Sequence, residues 1–426
     1  MTIALLELND LCLKISTKES KIYSECGFAL INESGINTGE EAYKSNWKYP
    51  DKCLNNYWLF LDQNLFKKNW RWARHNADIA YAQLNKLLNN TGSSTDLILS
   101  VPQTFSSEQL SLISGLIKAC NTKLRAVVDD SLLASMTINE NAWIIDMQLH
   151  QTTMTFVEKS ASDSGSIFSV TDHETLPNFG FLHICNLLAQ EVSNKLIKNS
   201  RYDPLHDGPA AQSLFNQIKK NLLEIKDRSE VVFKIKGPSG ISEISLDLSE
   251  IKTLLASEWR KISNKVLKSN KPFAMKGSAQ LLEKILDSSD RYLGIVSDFD
   301  IDHISKVIEK NQSEKNEIVK FESMKTDEKD LSRTNTVDLH TATHLLFNNK
   351  AWNLDNQLSI NIEDNSIKTE PGINKNSDLA LVLKNGRLDI FHCTDSKNIK
   401  LPKIFKAGEL ITINKTKILL IEVQNG

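Results

Sequence analysis

The stretch Leu97–Ser135, LILSVPQTFSSEQLSLISGLIKACNTKLRAVVDDSLLAS, sets the architecture of this 426-residue chain. Leu97–Val101 is a short apolar run of strand type. Ser106, with Gln109 three residues on, makes a capping box for a helix to about Cys120, and LRAVVD (124–129) is a second strand. A strand, helix, strand crossover implies a parallel pair in one sheet. The apolar strand Ala142–Asp146 is expected to join that sheet, with Thr152–Glu158 antiparallel to it.

Before this stretch, TIALLELN and LCLKIST alternate around Asn9 and Asp10 and lead into KIYSECGFALINESG, so the chain opens as an antiparallel meander. From Phe66 to Leu88 the apolar residues recur every three or four positions, which predicts one helix. On it Trp70, Ala73 and Ala77 share a face with Leu84. The aromatic and basic run KKNWRWARHNA offers stacking on bases or anionic lipid, but that shared face makes core packing the expectation.

After the crossover, Asp207 caps a helix with Pro209 in its first turn and Leu214, Phe215, Ile218 and Leu222 on its apolar face. His206, just after Asp203, belongs to the network that starts this helix. A β-hairpin turns around Gly237–Gly240, and another helix covers Glu250–Lys268. Residues 309–336 are charged and without period, and predict a solvated linker open to proteases. Short strands between Asn, Gly and Asp turns fill 337–426 and predict a small all-β sandwich.

At this length two or three domains are expected. A formal net charge of -2 gives no electrostatic case for nucleic acid. No apolar run reaches the roughly 18 to 20 residues that span a bilayer, and the amino terminus is not read as a signal peptide, so a cytoplasmic protein without membrane contact is expected. The six cysteines, Cys12, Cys26, Cys53, Cys120, Cys185 and Cys393, are spread along the chain and read as free thiols. No metal site is proposed. His340 and His344 have i, i+4 spacing, but the segment reads as strand and lacks the Glu of a metalloprotease pair.

Residues 97–135, with a strand ending in Val-Pro, a capped helix, a second strand and an acidic segment leading into a small-residue helix, resemble the actin and Hsp70-type ATPase superfamily. IIDMQLHQTTMTF falls where that family has its second phosphate loop, and PFAMKGSAQLLEKIL where a strand meets a Gly-Ser turn near the adenosine. With GFALINESGINTGEEAY, NADIAYAQL and YDPLHDGPAAQSLF, the run looks most like a group of bacterial Hsp70-like proteins. The closing β-domain resembles a forkhead-associated (FHA) domain in its strand rhythm and in FKAGELITINKTKILLI.

The resemblance implies an α/β, two-lobed actin/Hsp70-like fold over 1–308, a charged linker over 309–336 and an FHA-like sandwich over 337–426. It also implies a cleft lined by Asp146, Asp130, Gly277 and Ser278, which hold nucleotide and magnesium in the family. Such a site grips phosphates between glycine-rich turns, because only glycine lets backbone N–H groups come so close. Here the first turn, LELNDLCL, has no glycine, and Gln148, Leu149 and His150 replace the glycines of the second. Asp146 is read as a carboxylate capping a turn, Asp130 as a helix cap with Ser131, and His150 as a packing residue.

The expected function is therefore a non-enzymatic adaptor or scaffold, a pseudo-ATPase without cofactor whose partner is another protein. The alternative is an ATP-binding switch or slow ATPase that uses Mg-ATP. In the β-domain Lys375, Ser377 and Arg387 occupy the loops with which FHA domains read phosphothreonine, but without the family's pattern, and phosphopeptide binding is not expected.

Overall fold

The computed structural model divides into two units, one of Met1–Asp287 with Val296–Thr334 and one of Ser288–Ile295 with Asn335–Gly426. It describes residues 2–18, 22–90, 95–163, 165–223, 229–238, 240–266, 268–279, 282, 291–296, 299–312 and 320–327. Beyond these it describes 344–347, 350–353, 358–363, 366–371, 377, 379–384, 387–393, 399–400, 410–413 and 416–421.

The first unit is mixed α/β. Its first large sheet holds β1 (Thr2–Glu7), β2 (Leu13–Thr17), β3 (Ile22–Glu25), β4 (Thr95–Val101) and β5 (Lys123–Asp129). The expected meander β1-β2-β3 is antiparallel, while β4 lies parallel to β1 and β5 parallel to β4. The crossover between β4 and β5 is the expected one. Its helix α2 (Ser107–Ala119) begins with the Ser106–Gln109 capping box and buries Ile113 and Ile117.

The second large sheet contains β6 (Ala142–Met147), β7 (Gln151–Ser162), β8 (Gly165–Pro177) and β9 (Phe273–Lys276). Strands β6, β7 and β8 are successively antiparallel, and β9 lies parallel to β6. Both sheets thus begin with three antiparallel strands and add a parallel strand beside the first. This overturns the expectation that Ala142–Asp146 extends the β4–β5 sheet. The edge of β5 that it would have used is taken by β10 (Lys320–Phe321), which pairs with Val127 and Val128.

The same short segment continues as β11 (Ser323–Asp327), antiparallel to Gly165–Ser169 on the edge of β8. Residues 320–327 thus add a strand to both sheets, and at these residues the expected solvated linker is replaced by paired backbone. Lys320 Nζ also meets Asp129 Oδ2 at 3.1 Å. Gly165 is needed here, since a Cβ on it would stand 2.1 Å from the Thr326 carbonyl oxygen. The preceding helix, Ile301–Asn311, buries Ile304, Val307 and Ile308.

Two helix boundaries differ from the reading of the sequence. The helix predicted over 66–88 forms only as α1 (Asn76–Leu88), because the His75 ring accepts the Asp78 N–H and caps it there. Trp70 and Ala73 still pack on the core that takes Ala77 and Leu84, so the apolar spacing reflected burial by an irregular segment. The helix read over 250–268 is two, Leu248–Leu254 and Ala256–Val266. The hairpin Glu230–Asp247 and the helix Gly208–Leu223 form as expected.

The second unit contains antiparallel strands in two sheets. One orders Lys350–Asn353, His344–Phe347, Thr416–Ile421, Leu410–Ile413 and Ile399–Lys400; the other orders Ser366–Pro371, Leu358–Glu363, Leu379–Lys384 and Arg387–Cys393. Leu345, Ile360, Leu381, Ile411, Ile418 and Leu420 are buried within it.

Candidate functional site

Asp146, Asp130 and Ser278, which the resemblance implies line a cleft with Gly277, come together in the structure as one buried cluster. Asp146 lies near the end of β6, and Ser278, in the turn Gly277–Ala279 after β9, donates its hydroxyl to Asp146 Oδ1. Asp130 is the first residue of α3 (Asp130–Ile138). Its expected role as cap belongs to the residue before it, since Asp129 accepts the Ser131 N–H at 3.0 Å. Asp130 instead receives Lys276 Nζ at 2.9 Å, with both side chains almost fully buried.

Lys276 was not singled out in the sequence, although it ends the apolar run Phe273–Met275. Burial disfavours its charged form, but Asp130, Asp146 and Glu7 around it outweigh that and hold it protonated well above the usual lysine range. Burial pushes Asp130 up too, and Lys276 reverses this and keeps it below the usual carboxylate range. Among the described residues, Asp146 has no ion-pair partner of its own. Burial therefore raises its carboxyl to about 7 against the pull of Lys276.

The two turns are joined to each other. Asn9 donates to both carboxylate oxygens of Asp146 at 3.0 Å and to the Met147 carbonyl at 2.9 Å. Asp10 Oδ1 accepts the Leu149 N–H at 2.7 Å, and burial raises its carboxyl to about 6 although that bond favours the charged form. His150, as expected, is engaged in packing, with Nε2 2.9 Å from the Asn55 carbonyl. Behind the second turn, α4 (Phe181–Ser200) points its first N–H groups at the turn: Phe181 donates to the Gln148 carbonyl and Leu182 to that of Leu149. A helix N-terminus is a ready anion site, and here its donors are occupied by protein.

Glycine serves this seam from outside the turns. A Cβ on Gly27 would lie 2.6 Å from the Asp10 carbonyl oxygen, and one on Gly180 would lie 2.5 Å from both the Leu149 carbonyl oxygen and the Gln151 nitrogen. Both glycines let neighbouring backbone press against a turn. They were legible as glycines but not as parts of this site, because their partners are distant in sequence.

These residues do not fit a magnesium-bound phosphate. The backbone donors of the second turn and the first N–H groups of α4 bond to protein, although the buried Gln148 Nε2 has no hydrogen-bond partner among the described residues, and Lys276 already pairs with Asp130, one of the two carboxylates that would meet a divalent cation. Among the described residues, no three His, Cys, Asp or Glu side chains form a metal-ligand set. His206 pairs with Asp203 at 3.3 Å, consistent with a helix-start network. In the second unit Ser377 is buried and donates to the Leu379 carbonyl, and Arg387 begins a strand. Lys375 and His340 lie outside the described residues, as does the Arg387 side chain.

Two outcomes check this account of the cluster. Lys276→Met leaves Asp130 buried without its partner, so chemical denaturation at neutral pH should show a loss of about 3–5 kcal/mol, shrinking in acid as Asp130 takes up a proton. A loss below about 1 kcal/mol, the range of a surface pair, would contradict it. Asp146 has a raised folded pKa, so the folded state binds its proton more tightly than the unfolded chain does. Its contribution to stability is complete below about 3.8 and is lost as pH rises through about 7. Asp146→Asn should flatten the stability profile over that window, and an unchanged slope would contradict the assignment.

Comparison with known proteins adds no relative: no protein-family model matches the chain, and no curated protein matches it.

Proposed function

We propose that the chain is a non-enzymatic adaptor, with a pseudo-ATPase domain of actin/Hsp70 type followed by an FHA-like β-domain that serves as a protein-docking module. The repeated strand pattern of the two large sheets supports the fold assignment. The observation that carries the functional reading is the seam itself. Asn9 and Asp10 of one turn bond directly to Asp146, Met147 and Leu149 of the other, where an ATPase of this kind would hold phosphate between them. Phosphoryl transfer depends on positioned donors and cations, and here Lys276 and the turn backbone amide of Leu149 are engaged with protein.

A second reading, an ATP-binding switch, draws on one observation. Asp146, Asp130 and Ser278 still meet in one cluster, so a shift of Lys276 would expose carboxylates to a metal. Ligand that binds only the native state raises the melting temperature, so thermal unfolding in millimolar Mg-ATP separates the two. The adaptor reading predicts no shift beyond that produced by magnesium and a non-hydrolysable polyphosphate alone. A concentration-dependent rise specific to Mg-ATP would replace it with the switch.

A further inference from the structure

The aromatic and basic run that the sequence placed in a helix does something else in the fold. Trp70 and Ala73 turn to the core, while neighbouring side chains face outward. Leu65 is 77% exposed, Phe60 57%, Trp72 43% and Tyr49 41%. Isolated exposed hydrophobes need no explanation, but these four lie on two adjoining loops. Lys68 Nζ of the 60–75 loop donates to the Asp51 carbonyl of the 48–52 loop at 2.5 Å, and Phe66 N–H donates to the Arg74 carbonyl, closing the longer loop on itself. Trp72 Nε1 is fixed on the Glu33 carbonyl at 3.0 Å, and Asn76 Nδ2 on that of Phe60 at 2.6 Å. The exposed rings therefore sit on backbone that is tied down.

The same loops concentrate positive charge. Residues 48–52 and 60–75 hold Lys48, Lys52, Lys67, Lys68, Arg71 and Arg74 against Asp51 and Asp62, with Arg74 paired to Asp78 at 3.1 Å, in a chain whose net charge is -2. Several of these cations lie over aromatic rings: Lys68 is 3.9 Å from the Trp70 centroid, Arg71 4.9 Å from Trp72, and Lys48 5.0 Å and Lys52 5.8 Å from Tyr49. Long basic side chains that lie along rings keep their charge at the rim of an apolar surface.

From this arrangement we infer that the loop surface of residues 48–52 and 60–75 docks on an anionic lipid bilayer. Apolar tips ringed by Lys and Arg match the boundary between acyl chains and negatively charged headgroups, where aromatic rings settle at headgroup depth. A single-stranded nucleic acid would also meet the charge. It gains from free ring faces, however, and here cations already lie over the rings of Trp70, Trp72 and Tyr49, so that of the three exposed rings only Phe60 has no cation over it, while Leu65, the most exposed large apolar side chain, offers nothing to stack on. This inference departs from the expectation of no membrane contact. It is independent of the adaptor reading, and it concerns attachment to a surface only.

The test is co-sedimentation of the full chain with vesicles of phosphatidylcholine alone and of phosphatidylcholine with about one-third phosphatidylserine, at low and high salt. Binding should favour the anionic vesicles at least tenfold and should fall as salt is raised. Phe60→Ser with Leu65→Ser should weaken it about tenfold at unchanged melting temperature, and so should Lys67→Glu with Arg71→Glu. Equal sedimentation with neutral vesicles would overturn the inference, as would binding that both double variants retain. Absence of vesicle binding would overturn it as well, whether or not the chain retains a single-stranded oligonucleotide in a parallel filter assay.

Discussion

Taking a carboxylate out of water costs several kcal/mol unless a cation and hydrogen bonds come with it. The first unit removes Asp130 and Asp146 almost completely, in a space bounded by β6, β9 and α3. Lys276 makes that possible. It extends from the end of β9, pairs with Asp130 at 2.9 Å and leaves Asp146 to be held by Asn9 and Ser278. The cation is covalent, so the charge balance of this interior does not depend on the ionic content of the solution. That is the main difference between this cluster and a site that recruits a metal.

Two connections then hold the large sheets against one another. At the seam, Asn9 and Asp10 of the β1–β2 turn bond across to Asp146, Met147 and Leu149, while α4 braces the far side of the second turn. At the opposite edges, residues 320–327 pair first with β5 and then with β8. The Lys320–Asp129 pair ties the strap to the start of α3, next to the residue that Lys276 neutralises. Opening the space between the sheets requires breaking backbone pairing as well as buried side-chain bonds. This arrangement suits a rigid platform better than a hinge.

Local patterns in the sequence carried much of this. The capping box at Ser106 and Gln109, the meander around Asn9 and Asp10, and the parallel pair around α2 depend on neighbours within a few residues, and each formed as expected. The convergence of Asp146, Asp130 and Ser278 came from resemblance, and the geometry brings them together. The strand Ala142–Met147 is buried at every position, so its composition suited either sheet; its partner was decided by Phe273–Met275, over 120 residues away in the chain. The strap was hidden because its strands are short and charged, and pair only with distant edges. Lys276 could have been found as a lone cation ending an apolar strand. Trp70 and Ala73 show the opposite failure, in which helical spacing described burial without a helix.

The two turns are held together by their own hydrogen bonds, beside a cavity of about 80 Å³ that Asp10 and Gln148 help to line. The Leu149 amide reports on this junction directly, since its N–H donates to a buried carboxylate of the opposite turn. Hydrogen exchange resolved at that amide, with and without millimolar Mg-ATP, is the most direct measurement. Slow exchange that is the same in both conditions is expected, because no nucleotide enters the seam. Exchange at Leu149 that quickens on adding Mg-ATP, or is fast without it, would contradict the claim.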